Sequence, residues 1–361
     1  MEQIAPIAKI QKTHLIITGG AGFIGASLSS RLLAAGGRVT ILTRHPHAPC
    51  AALLAQHGAT VLPYDVGHGE FPAALSELPP AAVLLHLAAD VGMTSPALRQ
   101  TNVVGTERVL TIADRLNIPY VLVASSIEAQ GLGTEDEIPL DEERPCHPVS
   151  EYGATKLAAE EVVRAWSGGG DRAAAVIRIG NIYGPGSPWL LRPSLLALLG
   201  ATPLAPIYWQ LQHRRFQPLY IDDLVEGLVQ IVGTRLTGLY NLTGETAVSI
   251  GRYLETLAAL TGLTERLTAL QTAAGGAGAP ATGSVAPVAG IDPDFGYLLM
   301  GSAERCHRVY DNRRIRRVLG PYCRYDLTRG LAATLSWFHA SQGLASMLRA
   351  VPQHEGVSPW T

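Results

Sequence analysis

The chain has 361 residues, 47% of them apolar and 16% charged, and a formal net charge of −2. That composition excludes a mainly disordered chain, and the charge offers no pull toward nucleic acid or an anionic membrane surface. Cys50, Cys146, Cys306 and Cys323 form no Cys-x-x-Cys pair, which argues against a disulfide scaffold or a metal site and fits reduced thiols in a cytoplasm.

Residues 14–18, His-Leu-Ile-Ile-Thr, predict a buried strand. Thr-Gly-Gly-Ala-Gly-Phe-Ile-Gly follows at 18–25. Helix is predicted over 26–35 and a second strand over 38–43, completing one βαβ unit. Glycines between a strand and a helix let a pyrophosphate approach the backbone, and the helix N-terminus supplies N–H donors and a positive dipole end. Gly19, Gly22, Phe23, Ile24 and Gly25 are therefore candidate dinucleotide contacts. After the second strand comes Thr43-Arg44-His45, with no carboxylate for a ribose 2′-hydroxyl. Arg44 can hold a 2′-phosphate bidentately, so NADP(H) is preferred over NAD(H).

Further strands are predicted at 60–62, 82–87, 120–124 and 174–179, with helices at 105–116 and 152–166. This alternation predicts an α/β chain of Rossmann type with a doubly wound parallel sheet. Asp65, after the third strand, is a candidate adenine contact. Ser125 and Ser126 stand at the carboxyl end of the fifth strand, where open α/β sheets bind ligands. Tyr152 and Lys156 are four apart on the next helix and so share one face. An ammonium near a phenol is expected to lower its pKa, which suits proton exchange with an alcohol.

Beyond Gly180, residues 181–187 are turn-rich, and Asn181 and Tyr183 are candidate pocket residues. Helices are predicted at 189–199, from 222, and at 250–260, with strands at 219–221 and 239–241. Residues 271–290 are dominated by Ala, Gly, Pro, Ser and Thr and read as a flexible insertion without core. A basic helix follows residues 310–312, its arginines at 313, 314, 316 and 317 read as a solvated face, and an amphipathic helix is predicted near 327–337. The expected division is a cofactor domain at 12–180, with 216–245 returning to it, and a smaller C-terminal substrate lobe at 181–215 and 246–345.

The residues at 18–25, Asp65-Val66, His86-Leu87-Ala88-Ala89, residues 102–106, Ser125-Ser126, residues 152–156, Arg-Ile-Gly-Asn-Ile-Tyr-Gly-Pro-Gly at 178–186, residues 220–223 and Asp311-Asn312 resemble, in order, an extended short-chain dehydrogenase/reductase of the NAD-dependent epimerase/dehydratase group. The resemblance implies Tyr152 as general acid/base and Lys156 as the residue that binds the nicotinamide ribose. It implies Ser126 as the catalytic hydroxyl that also meets substrate. Val66, Ala88 and Ala89 would lie beside the cofactor, and Asn102 would tie strands and helices near the site. Glu128 falls where dehydratases of the group carry a Glu with a chemical role, and Arg215 is a possible counterpart of a diphosphate-binding Arg. The activity implied is hydride transfer at a secondary alcohol or ketone carbon, on a nucleotide sugar, by an epimerase or dehydratase. The alternatives are an NADPH-dependent ketone reductase resembling hydroxysteroid dehydrogenases, and a non-catalytic dinucleotide-binding protein. A homodimer is expected from the resemblance alone.

Overall fold

A computed structural model describes residues 9–92, 95–169, 172–187, 190–200, 208, 211–276 and 305–341. Its centre is a seven-stranded parallel sheet in the order β10-β6-β5-β4-β1-β2-β3. The strands are β1 (His14–Thr18), β2 (Arg38–Thr43), β3 (Thr60–Pro63), β4 (Val83–His86), β5 (Tyr120–Ser126), β6 (Ala173–Ile179) and β10 (Gly238–Leu242). β1 is buried along its whole length, as an apolar strand covered on both faces must be. The chain winds outward from β1 in both directions, so β1 and β4 flank the point where strand order reverses. Ligands of such sheets bind outside the carboxyl ends at that point.

The helices are α1 (Phe23–Ala34), α2 (Pro49–Gln56), α3 (Gly105–Arg115), α4 (Glu151–Ser167), α5 (Leu191–Leu198), α6 (Ile221–Thr234), α7 (Ile250–Thr261), α8 (Thr264–Gly276), α9 (Arg313–Leu319) and α10 (Leu327–Ala340). α4 starts at Ser150, whose hydroxyl accepts from the Gly153 N–H at 3.0 Å. That cap fixes the rotation of the helix and so the direction of Tyr152 and Lys156. Short pairings lie beyond the sheet: β7 (Asn181–Tyr183) with β9 (Pro218–Tyr220), and β8 (Arg215–Phe216) with β11 (Val248–Ser249). Among the described residues no helix is long and apolar enough to cross a membrane.

Three sequence expectations change. α2 was not expected, because its run of Ala and Leu with an exposed Leu53 lacks a clear apolar stripe; only Pro49 at the first turn marked its start. Residues 181–183 are a strand, too short for alternation to show. The insertion expected at 271–290 begins as the last residues of α8, and 277–290 lie outside the described residues, as does Trp189 of the helix predicted there.

Candidate active site

The turn after β1 is closed sterically. Gly19 has φ +68°, and a Cβ there would lie 2.7 Å from the Ala88 nitrogen. At Gly25 a Cβ would sit 2.0 Å from the Gly19 carbonyl oxygen. Neither position admits a side chain. Gly22 is the N-cap of α1 with no side-chain cap and no acid in the first turn. The first N–H groups of an α-helix have no acceptor within the helix, and Ile24 and Gly25 belong to that first turn, where the positive end of the helix dipole favours an anion. Ala88 and Ala89, half-buried, follow β4 beside this turn. The residues fit a dinucleotide pyrophosphate.

Arg44 is exposed, one residue past β2. Asp65 closes its own turn, one carboxylate oxygen accepting from the Gly67 N–H at 2.8 Å, and Val66 is buried.

The second cluster lies at the end of β5. Side chains alternate along a strand, and this separates the two serines. Ser125 points into the protein, its hydroxyl donating to Glu160 at 2.5 Å. Ser126 is half-buried, accepts from the Glu128 N–H at 3.2 Å, and hydrogen-bonds the Tyr152 phenol. Gly153 lets α4 approach this turn: a Cβ there would lie 2.4 Å from the Glu128 carbonyl oxygen. One turn along α4, the buried Lys156 ammonium donates to the Ala124 carbonyl at 2.7 Å. Ser126, Tyr152 and Lys156 thus meet at the carboxyl edge of the sheet.

One electrostatic expectation is corrected. The Tyr152 phenol is pushed up rather than down, chiefly by burial; its bond to Ser126 opposes the shift and the Glu128 charge adds to it. Lys156 does not offset this, because its ammonium is directed at Ala124 and is itself pushed down to about 8 by burial, with Glu160 holding it up.

A chain of hydrogen bonds joins the glycine turn to α4. His86 Nδ1 lies 2.7 Å from the Thr18 hydroxyl and Nε2 lies 3.1 Å from the Thr106 hydroxyl. Thr106 spends its own proton on the Asn102 carbonyl at 2.7 Å, so it must accept from His86 Nε2–H. Thr18 then donates to Nδ1. Burial pushes His86 down to about 3, with the Lys156 ammonium acting the same way, so the ring is neutral. Asn102 accepts from the Asp90 N–H at 2.8 Å and donates to Thr155 at 3.0 Å, and Thr155 donates to the Tyr152 carbonyl at 2.8 Å.

Glu128 is 1% exposed and pairs with Arg308 at 3.3 Å, Arg308 being 2% exposed. Behind the site, Glu160 holds Arg178 through two bonds of 2.7 and 2.9 Å, and Arg178 also donates to the Cys146 thiol at 3.1 Å. Sequence reasoning gave no role to His86, Glu160, Arg178 or Arg308. His86 and Arg178 lie inside quoted motifs, whereas nothing near Arg308 in the chain marked it.

Two pocket expectations shift. Tyr183 is 2% exposed, meets Tyr220 edge-on at 5.5 Å and directs its hydroxyl at the Asp326 carbonyl, so its side chain belongs to the core under α10. Asn181 is buried at the start of β7. Arg215 pairs with the exposed Glu135 at 2.5 Å and lines a cleft of about 300 Å³ with Gln217, Tyr310 and Arg313. Ser126, Tyr152 and Lys156 are not among the residues of that cleft. Of the basic helix, Arg314 pairs with Glu143 at 2.8 Å and Arg316 with Glu245 at 3.6 Å, so its face is ion-paired rather than only solvated.

Residues 15–242 match the model of the NAD-dependent epimerase/dehydratase family. The chain belongs to that family. UDP-glucose 4-epimerase of Mycolicibacterium smegmatis is 28% identical over 335 residues, which cover 90% of this chain and 97% of that one. dTDP-glucose 4,6-dehydratase of Streptomyces griseus is 28% identical, covering 91% and 94%. dTDP-L-rhamnose 4-epimerase of Burkholderia thailandensis is 32% identical, but the match spans 48% of this chain and 58% of that relative. Among solved structures, dTDP-glucose 4,6-dehydratase from Bacillus anthracis in complex with NAD superposes with a TM-score of 0.71 at 18% identity, covering 93% of this chain and 100% of that one. Family membership makes the chain an NAD-dependent epimerase/dehydratase-type oxidoreductase, and the superposition shows the shared fold. Among the described residues no group of His, Cys, Asp and Glu is placed to hold a metal ion.

Proposed function

We propose that the chain oxidises and reduces a secondary alcohol carbon of a nucleotide sugar, as an epimerase or dehydratase that returns the hydride it removes. The observation that carries this reading is the Ser126–Tyr152 hydrogen bond at the carboxyl end of β5, with Lys156 one turn along α4 at Ala124 and a chain of hydrogen bonds through His86 and Asn102 to the glycine turn. A bound nicotinamide supplies the hydride acceptor and donor in such chemistry. Gly19, Gly22, Phe23, Ile24 and Gly25 would hold its pyrophosphate, with Asp65, Val66, Ala88 and Ala89 lining the rest.

In this reading Tyr152 exchanges a proton with the substrate hydroxyl, and Ser126 orients that hydroxyl through its bond to the phenol. Lys156 uses one N–H on Ala124 and keeps its remaining donors for the nicotinamide ribose. Residues 12–180 with 216–245 serve as the cofactor domain; 181–215 and 246–345 serve as the substrate lobe, to which Asn181 and Arg215 contribute. The names of the relatives, which act on UDP- and dTDP-sugars, support the substrate class.

A second reading rests on Arg44. With a cation and no carboxylate after β2, NADP(H) is the cofactor it favours, and NADPH suits net reduction of a ketone. One experiment separates the two. The purified protein is denatured, its released dinucleotide is measured, and turnover of UDP-glucose and dTDP-glucose is assayed beside Tyr152→Phe. Tightly retained dinucleotide with no net consumption supports the first reading. Little retained dinucleotide, with NADPH lost in step with a ketone supplied in place of the nucleotide sugar, supports the second. Tyr152→Phe is expected to lose about 100-fold or more in kcat; a variant matching the parent would remove the catalytic assignment altogether.

A further inference from the structure

Residues 305–311 leave the C-terminal part of the chain and run between β8 and the loop after β5. The Arg308 N–H donates to the Arg215 carbonyl at 2.8 Å, and the Leu140 N–H to the Val309 carbonyl at 2.9 Å. The Asp311 N–H donates to the Leu140 carbonyl at 2.7 Å. Tyr310 locks the segment from both ends of its side: its N–H donates to Gln217 at 2.8 Å and its hydroxyl to the Gly131 carbonyl at 2.6 Å. Between these anchors the Arg308 side chain turns inward and meets Glu128, 180 residues away in sequence.

Glu128 sits on the single helical turn at Ile127–Ala129, which Ser126 caps and against which the first turn of α4 packs. Its N–H donates to the Ser126 hydroxyl that also bonds the Tyr152 phenol, and the Glu128 charge acts on that phenol. A negative charge there opposes any negative charge on the phenol oxygen. Two ions taken out of water in one place are costly unless they are joined. A pair of this kind in a core, with no other task, is replaceable by apolar side chains.

We propose that Arg308 is a positioning residue of the catalytic centre: carried in by residues 305–311, its guanidinium fixes the direction of the Glu128 carboxylate and balances its charge beside the Ser126–Tyr152 pair. The inference rests on the proton-transfer role proposed for Tyr152. It makes the catalytic turn complete only when the C-terminal segment is docked. Loss of Arg308 removes that countercharge from Glu128 and raises the pH at which Tyr152 gives up its proton. Loss of Glu128 as well removes that effect.

The test compares Arg308→Met, Arg308→Lys, Glu128→Gln and the Arg308→Met/Glu128→Gln double variant in the full chain with NAD+ present. Two quantities are read: the pH dependence of kcat with UDP-glucose, and the alkaline rise of tyrosinate absorbance, taken as the difference from Tyr152→Phe in the same background. Arg308→Met is expected to lose about tenfold or more in kcat at neutral pH, with KM little changed. Its Tyr152 titration should move up by about one pH unit, and the double variant should return that titration to the position of Glu128→Gln. Arg308→Lys should show an intermediate kcat and a near-parental titration. A merely structural role would lower the active fraction without moving either titration. Parental titration in Arg308→Met, with Tyr152→Phe inactive, overturns the inference and leaves the assignment of Tyr152 standing. If Arg308→Met fails to fold, the Lys and double variants decide: a double variant whose titration differs from that of Glu128→Gln overturns it. Activity retained in Tyr152→Phe sinks the underlying assignment instead.

Discussion

Two buried carboxylate–guanidinium pairs lie at the same end of the sheet, and they are built differently. Glu160 on α4 holds Arg178 on β6 through two bonds, with Ser125 and Cys146 completing the set, and the partners are 18 residues apart. Glu128 and Arg308 are joined at 3.3 Å across 180 residues. The first pair fastens a helix to the strand that follows it. The second fastens a remote segment to the turn that carries Ser126. The chemistry is the same in both, so chain separation sets what each can do: the near pair stiffens one unit of the sheet, and the far pair couples two parts of the molecule.

Breaking the near pair should give the largest effect. Arg178→Met leaves Glu160 buried without its partner, and about 3–5 kcal/mol of stability is expected to go, read from urea unfolding. A loss below about 1 kcal/mol would show that Ser125 alone satisfies Glu160. The same measurement on Arg308→Met sharpens the contrast through its distribution. Residues 305–311 are held by scattered single bridges to Gly133, Leu140 and Arg215 rather than by a ladder. Amide exchange in Arg308→Met should therefore rise in that segment and in 127–133, with β6 and α4 unchanged. Equal loosening of both regions would erase the distinction.

The difference between the pairs also marks what the sequence can tell. The strand at 38–43, the helix at 105–115 and the glycine turn are legible because their signals are local: an apolar run, a period, a steric need at Gly19 and Gly25. Tyr152 and Lys156 are legible for the same reason, since four residues on a helix define one face. The sense of the Tyr152 shift was not legible, because it depends on how deeply the phenol is buried and on where Lys156 points. The family resemblance singles out Glu128, yet its partner is invisible in the sequence: no spacing links residue 128 to residue 308. Tyr183 shows the opposite failure. An aromatic in a turn-rich run reads as a pocket residue, and Gly330 on α10 makes the space that draws its hydroxyl into the core.

Lys156, on the same helix as Glu160, tests the electrostatic reach of the near pair. Burial pushes it down to about 8, and Glu160 opposes that shift. Its unfolded pKa is about 10.4. Between these values the unfolded chain binds the proton that the folded chain has lost, so stability from this group rises as pH rises from about 8 to about 10.4. Below pH 8 the folded protein carries a charged buried ammonium and bears the whole penalty, on the order of 3 kcal/mol. Lys156→Met should therefore compare more favourably with the parent at pH 7 than at pH 10.5, by up to about 3 kcal/mol in urea unfolding. A difference independent of pH would mean that the ammonium is better solvated than its position implies. Activity is expected to be lost in the same variant at every pH.

The smallest effect belongs to Arg215, and it separates substrate binding from folding. Its pair with Glu135 is 37% and 67% exposed, so water and salt screen it and the contribution to stability is expected to lie below about 1 kcal/mol. Arg215→Ala should unfold close to the parent, more so at high salt. If Arg215 instead holds substrate phosphate across the cleft it lines, the same variant should raise KM for UDP-glucose by about tenfold and leave kcat almost unchanged, because phosphate held equally before and during the reaction affects binding alone. Unchanged KM would return Arg215 to the surface and leave the buried pairs as the arginine chemistry of this site.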